Sequence, residues 1–299
     1  MSQIWTDQKE RSNPFTLRLI CWIALNLSRP FARLWLYPIT LYFLITSPRV
    51  RFASQNYLKR VPGKTGNIIQ VTKHIYCFAA TILDRVYFLT DQQHLFNIDI
   101  HGSELLDSII KQKTGCILLG SHVGSFEALR CLAITHEHLP LKIMMYQDHN
   151  AMITKILDEL NPKVTSSVIN LADHDALFQM KESLEQGEFI GMLGDRVNED
   201  EKRVKCEIFG EEIFMPAGPL TLAILFEVPV LMFYGIYHGG NRYSIHIEKL
   251  SDKISATRKE RAVVVAQYMQ DYVSSIELMI KKTPYNWFNF FDFWGDKNE

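Results

Sequence analysis

The sequence predicts an α/β protein: a mostly parallel sheet flanked by helices, preceded by an N-terminal hydrophobic helical region that associates with membranes. Three observations lead there. From Gly115 onward, short apolar runs alternate with helical patterns, the mark of parallel strands joined by crossover helices. Between residues 67 and 90, Ile68, Val71, Ile75, Phe78, Ile82, Val86 and Leu89 recur at spacings of three and four, a helical period. Ahead of them, two apolar stretches carry the aromatic and arginine residues that suit a headgroup boundary.

Those stretches, Leu17 to Leu27 and Phe31 to Ile45, are separated by Ser28-Arg29-Pro30, and the second contains Arg33 and Pro38. Neither supplies the about 20 uninterrupted apolar residues that cross a bilayer. Trp5, Trp22, Trp35, Tyr37 and Tyr42, with Arg18, Arg29, Arg33, Arg49 and Arg51, instead describe a shallow anchor in residues 1–60. The rest, 61–299, is expected to form the α/β domain. The alternative for the apolar stretches is a pair of buried core helices.

The elements follow in order. Helices are expected over residues 49 to 60 and 67 to 90. Leu95 to Ile100 alternates like a strand. Then come a strand Cys116 to Leu119, a helix from Ser125 to about Thr135 and a strand Leu141 to Tyr146. A helix around Met152 to Leu160, a strand Val164 to Leu171, a helix Asp173 to Gln186 stopped by Gly187, and a strand Phe189 to Leu193 complete the alternation. After Pro219 a short helix leads into Val230 to Tyr237, whose His238-Gly239-Gly240-Asn241 turn announces a hairpin with Tyr243 to Ile247. A long helix, about Ala256 to Lys282, precedes an aromatic tail, Tyr285 to Trp294.

Composition narrows the function. A 299-residue chain with 47% hydrophobic residues has ample material for a core, and 32 basic against 33 acidic residues leave no field to attract nucleic acid. Five cysteines without a CxxC pair fit a reducing compartment. Asp7, Lys9, Glu10 and Arg11 occupy the start, where a secretory leader would show a different pattern.

The segment Gly120-Ser121-His122-Val123-Gly124-Ser125-Phe126-Glu127 lies between an apolar run and an amphipathic helix. On one regular helix, residues five apart point about 140° away from each other, so His122 and Glu127 can pair only across a turn. Gly120 and Gly124 permit the bend, and Ser125 is a good N-cap that sets Glu127 in the first helical turn, where the dipole favours its ionised form. An imidazole oriented by a carboxylate is suited to take a proton from a hydroxyl. The spacing alone is expected roughly once by chance in a chain of this composition, and it does recur at His94 and Asp99, on the strand-like stretch without glycines. Gly120-Ser121-His122-Val123-Gly124 is not Gly-x-Ser-x-Gly, which argues against a serine nucleophile at Ser121. Asp173-His174-Asp175 opens a helix with no partner histidine at metal spacing and reads as capping.

The run Gly120 to Arg130 resembles the first block of the His-x4-Asp/Glu acyltransferase superfamily, in the branch that includes the lipid A late acyltransferases. Gly194-Asp195-Arg196 resembles the second block. Phe209-Gly210 with Phe214-Met215-Pro216-Ala217-Gly218-Pro219 resembles the third, Pro229-Val230 the fourth, and Pro284-Tyr285-Asn286-Trp287 the Pro-x-x-Trp near the end of that branch. The likeness spans roughly Gly115 to Trp294. It implies an O-acyltransferase in which His122 deprotonates an acceptor hydroxyl, Glu127 holds the imidazole tautomer, and the oxygen attacks a thioester directly. Backbone amides near Gly120 to Gly124, or Arg196, would steady the oxyanion. Gly120, Ser121, Gly124, Ser125, Arg130, Asp195, Arg196, Phe214, Pro216 and Gly218 are the implied substrate-binding positions.

No cofactor and no metal is called for; an acyl carrier protein or coenzyme A thioester is the co-substrate. The third block lacks the Glu-Gly-Thr-Arg of the glycerophosphate branch, which argues for a complex lipid acceptor, lipid A-like or related. The implied location is the cytoplasmic face of the inner membrane. A lipid-binding protein with an inactive site, or a thioesterase, are the alternatives.

Overall fold

A computed structural model describes residues 21–129, 140–145, 167–198 and 201–295. The sequence places helices past 129 and over Met152 to Leu160, the first part of the strand from Val164, and Trp5, Arg18 and Arg130. All of these lie outside the described residues.

Four helices open the described chain: α1 (Arg29–Leu34), α2 (Leu36–Thr46), α3 (Pro48–Arg60) and α4 (Ile68–Leu89). Pro30 and Pro48 stand in the first turns of α1 and α3, where a missing N–H costs nothing. Asn67 caps α4 by accepting the Gln70 N–H at 3.0 Å. The α4 face that carries Val71, Ile75, Leu83 and Val86 is buried. Next come β1 (Asn97–His101), on the alternating stretch that holds Asp99, and α5 (Ser103–Gln112).

The sheet proper is built from β2 (Cys116–Gly124), β3 (Leu141–Met145), β4 (Val168–Asn170), β5 (Phe189–Leu193), β8 (Val230–Tyr237) and β9 (Arg242–Ser251), with β1 at one edge. Helix α6 (Ala176–Glu185) precedes β5, and α7 (Gly218–Phe226) precedes β8. The strand order is β1-β9-β8-β2-β5-β3-β4. The five strands from β8 to β4 are mutually parallel, whereas β9 runs antiparallel to β8 through the expected hairpin, with β1 parallel to β9. The mostly parallel sheet with helices is thus the observed fold. All eight residues of β8 are buried, as a strand covered on both faces requires.

A separate antiparallel ribbon, β6 (Arg203–Ile208) and β7 (Glu211–Pro216), turns on Phe209 and Gly210, both with positive φ. The chain then closes with α8 (Arg261–Lys282), which buries Val265, Met269, Tyr272, Val273, Ile276 and Ile280 against the sheet side. Helix α8 begins five residues later than the expected Ala256 and α6 three later than Asp173. Asp175 does precede α6, yet its side chain accepts the Gln179 amide rather than capping a backbone N–H.

Helices α1 to α3 share the core of the α/β domain. Ala32, Leu36, Tyr57 and Leu58 are buried in it, the Tyr57 hydroxyl donates to Pro284 O at 2.7 Å, and Arg60 pairs with Glu211 on β7.

Candidate active site

His122 stands at the carboxyl edge of the sheet, where sites of open parallel sheets form. Strand register explains its neighbour. Gly120 of β2 pairs with Leu193 of β5, so His122 and Asp195 each lie two residues beyond the same point on adjacent parallel strands. Between Gly120 and Gly124 the β2–β8 register shifts, a bulge that re-aims the His122 side chain. The strand runs through to Gly124, so the bend comes at Gly124 alone. This glycine has φ +84, and a Cβ there would lie 2.1 Å from Gly235 O. Gly120 serves differently: it is a strand residue whose missing side chain leaves room for the Phe126 ring.

The Asp195 carboxylate takes two bonds from one residue. Its Oδ1 lies 2.7 Å from His122 Nδ1, and its Oδ2 accepts the His122 backbone N–H at 2.9 Å. Asn289 Nδ2 donates to the same Oδ2 at 2.9 Å. Burial works to raise this carboxyl, but the His122 contacts and the Arg196 charge overcome it and hold the group down at about 2. An acceptor-only carboxylate requires Nδ1 to carry the proton, so Nε2 is the basic nitrogen of the ring. Burial lowers the His122 pKa, as does the Arg196 charge, against Asp195 and Glu127, which raise it. The imidazole is therefore neutral at pH 7, the state a general base needs.

Glu127 corrects the expected pairing. Past Gly124 the chain makes a single 3₁₀ turn, Phe126–Ala128, with Ser125 at its N-cap position. That turn carries Glu127 to α4, where Arg85 ion-pairs with it. The Ser125 hydroxyl donates to Glu127 Oε2 at 3.4 Å. Glu127 acts on His122 through its charge, and the carboxylate hydrogen-bonded to the imidazole is that of Asp195. The physical reason is reach: Nδ1 is already occupied from the neighbouring strand, and a guanidinium from α4 waits beside the turn.

The backbone amides proposed from sequence as an oxyanion site are engaged. The amides of His122, Val123, Gly124 and Ser125 donate to Asp195, the Ser121 hydroxyl, Asn286 O and Gly235 O respectively. Among the described residues, Arg196 is a cation at this place. Burial lowers its pKa to about 10, while Asp195 raises it, so it stays charged. Its Nε donates to Asn289 Oδ1 at 2.9 Å and its Nη2 to Phe288 O at 3.3 Å.

The terminal motif holds this edge together. Phe288 N donates to His122 O and Gly124 N to Asn286 O, each at 2.7 Å, while Val123 bridges Trp287 in antiparallel fashion. Asn286 also satisfies both backbone groups of Tyr237, accepting its N–H at 2.9 Å and donating to its carbonyl at 3.1 Å. Trp287 is buried under Tyr57 in an edge-on contact, and its carbonyl accepts from His74 Nε2 at 2.7 Å. His74 is buried too, and Ser54 lies 2.8 Å from its Nδ1. The tail aromatics Trp287, Phe288, Phe290 and Trp294 are thus packed on the core.

The third block lies beside the second without entering the bonds to His122. Phe214 and Pro216 sit on β7, the first partly and the second fully buried, and Gly218 opens α7 in open space. A side chain on Gly194 would meet Leu119 at 2.6 Å and Pro219 at 3.4 Å, which seats the start of α7 against the turn before Asp195. Ser121 is buried. His94 lies in a short 3₁₀ turn and Asp99 on β1, so that look-alike pair has no shared turn. Sequence reasoning missed Arg85, His74 and Asn289, which lie far along the chain from His122 with no local pattern to mark them.

A neutral histidine anchored by a buried aspartate, with a half-buried arginine alongside, stands at the carboxyl edge of a parallel sheet, an arrangement chemically suited to taking a proton from a hydroxyl. The chain belongs to the bacterial lipid A biosynthesis acyltransferase family, whose model matches residues 62–295. No curated protein matches it. The match runs from just before α4 to the end of the aromatic tail and so includes Arg85, His122, Glu127, Asp195 and the Pro-x-x-Trp segment. Acyl transfer to a lipid acceptor is the activity that goes with this family.

Proposed function

We propose that the protein transfers a fatty acyl group from an acyl carrier protein or coenzyme A thioester to a hydroxyl of a complex lipid, lipid A-like or related, with His122 as base. The observation that carries this reading is the bond from His122 Nδ1 to the ionised Asp195, which leaves Nε2 basic. Nε2 takes the hydroxyl proton as the acceptor oxygen attacks the thioester carbon. The new C–O bond forms, and the tetrahedral oxyanion is steadied by Arg196. Its collapse breaks the C–S bond, and the imidazolium returns the proton to the departing thiolate, so ester and free thiol are the products. Asp195 holds the tautomer and stabilises the imidazolium. Glu127, ion-paired with Arg85, adds a smaller influence that favours the protonated ring. Phe214, Pro216 and Gly218 belong to the substrate-binding surroundings in this reading, as do Gly120, Ser121, Gly124, Ser125 and Arg130.

The location that fits is the cytoplasmic face of the inner membrane, held peripherally. Among the described residues no helix is long and apolar enough to cross a membrane. Helix α2, eleven residues without a charge, would span about 16 Å, half of a bilayer core. Its neighbourhood nonetheless exposes Leu34 at 60%, Trp35 at 50%, Leu41 at 55% and Ile45 at 64%, a patch that suits an interface.

Lipid mass spectrometry of cells with and without the protein tests the reading, because a missing acyl chain names the acceptor. Accumulation of free fatty acid from an acyl thioester by the purified protein, with no acylated lipid, would make it a thioesterase instead.

A further inference from the structure

Beside the β8–β9 turn an open cleft of about 570 Å³ is lined by Arg29, Arg33, Tyr37, Tyr76 and Asn241, among others. Its floor is a buried charge cluster. Asp84 of α4 takes both arms of Arg29, at 2.9 and 2.8 Å, and the Tyr243 hydroxyl at 2.9 Å. Arg33 Nη1 stands 3.7 Å from the same carboxylate. Arg33 Nη2 donates to the hydroxyls of Tyr237 and, at 3.2 Å, Tyr76. Two guanidinium groups share one carboxylate, so the cluster keeps one positive charge, and Arg33 Nη1 is buried without a hydrogen-bond partner.

Such a cleft is built for an oxyanion. Arg29 is bound to its carboxylate and to Gly240 O at 2.7 Å, whereas Arg33, with 15% of its side chain exposed and the Tyr37 and Tyr76 rings beside it, 5.3 Å apart, brings the surplus positive charge to the wall of the cleft. The exposed Leu34 lines it, Trp35 and Leu41 are exposed on the same helical stretch, and these side chains would lie along acyl chains. The cleft is also tied to the reacting edge: Tyr237 is two residues past Gly235, the partner of Gly124, or about 7 Å along the strand. Asn286 bridges the two. Arg29, Arg33 and Tyr37 precede the residues matched by the family model.

We propose that this cleft binds the phosphate of an anionic lipid, taking the headgroup of the acceptor while its hydroxyl reaches His122. The inference rests on the reading that the acceptor is a lipid. Its test is sedimentation of the full chain with phosphatidylcholine vesicles, with and without phosphatidic acid, at about 0.5 M salt, where surface charges are screened beyond about 4 Å and a contact inside a cleft is screened less. The wild type should prefer the phosphatidic acid vesicles by about fivefold, the worth of one well-placed cation. Arg33→Gln should lose the preference, Arg33→Lys should keep most of it, and Arg49→Gln, an equal charge loss outside the cleft, should keep all of it. Should Arg33→Gln fail to fold, Tyr37→Glu takes its place: Tyr37 is exposed on the cleft wall, and a carboxylate there should abolish the preference. Equal preference in the wild type and Arg33→Gln, or an equal loss in Arg49→Gln, overturns the proposal, as does full competition by millimolar inorganic phosphate, which would make it a site for free phosphate. Because the assay reads binding alone, its failure leaves the acyl-transfer reading standing, and loss of acyl transfer with the preference intact does the reverse.

Discussion

At the scale of single residues, the His122 environment sets a pH profile. Its pKa lies below the ordinary value, with burial first and the Arg196 charge second among the causes. The basic form therefore persists below pH 6.5, and kcat should fall only as pH drops through that lowered value. Arg196→Gln removes a lowering influence and should move the acid limb upward, besides slowing the reaction. Glu127→Gln removes a raising one and should move the limb downward; a pH–rate series in the three proteins reads both signs. His74 makes a stability claim of the same kind. Burial lowers its pKa to about 4, the bond to Trp287 O opposing, so the unfolded chain binds the extra proton between about 6.5 and 4. Stability is whole above that window and is lost as pH falls through it, by up to about 3 kcal/mol. Denaturant midpoints at pH 7.5 and pH 5 should converge in His74→Gln relative to the wild type.

At the scale of elements, β2 is held at its reacting end by the segment from Asn286 to Phe288 as much as by its strand neighbours. Asn286→Ala would leave the buried N–H and carbonyl of Tyr237 unpaired and should cost about 2 to 4 kcal/mol, seen as a lowered Tm with a matching loss of activity. The sequence made many of these elements legible because their period is strong: β5 and β8 appear with the expected ends, and α4 with most of its apolar stripe turned inward, Ile68 and Ile82 being exposed. The β6–β7 ribbon was missed although Arg203 to Ile208 alternates strictly and Phe209-Gly210 makes a two-residue turn. That alternation was the available signal. The choice of carboxylate was not legible at all. Glu127 is five residues from His122, and Asp195 becomes its neighbour only when β5 is known to lie beside β2, a fact of strand order that no local pattern contains.

At the scale of the whole molecule, the N-terminal helices both face outward with apolar side chains and contribute Arg29 and Arg33 to the buried Asp84. Deleting residues 1 to 47 would strand that carboxylate, so release from membranes by deletion would mix unfolding with lost docking. Trp35→Glu with Leu41→Glu changes exposed side chains alone and should move the protein from the membrane pellet to the supernatant without lowering Tm. The proposed chemistry turns on which groups make His122 a base. His122→Ala should lower acyl transfer by about 10²- to 10⁴-fold, and His94→Ala should leave it unchanged. The most direct measurement compares kcat of Asp195→Asn and Glu127→Gln in a detergent assay with an acyl thioester donor and lipid acceptor. Asp195→Asn should lose roughly 10²-fold or more, since the tautomer and the imidazolium both lose their partner, and Glu127→Gln should lose distinctly less. A folded Asp195→Asn protein that turns over like the wild type, while Glu127→Gln is inactive, would contradict the account.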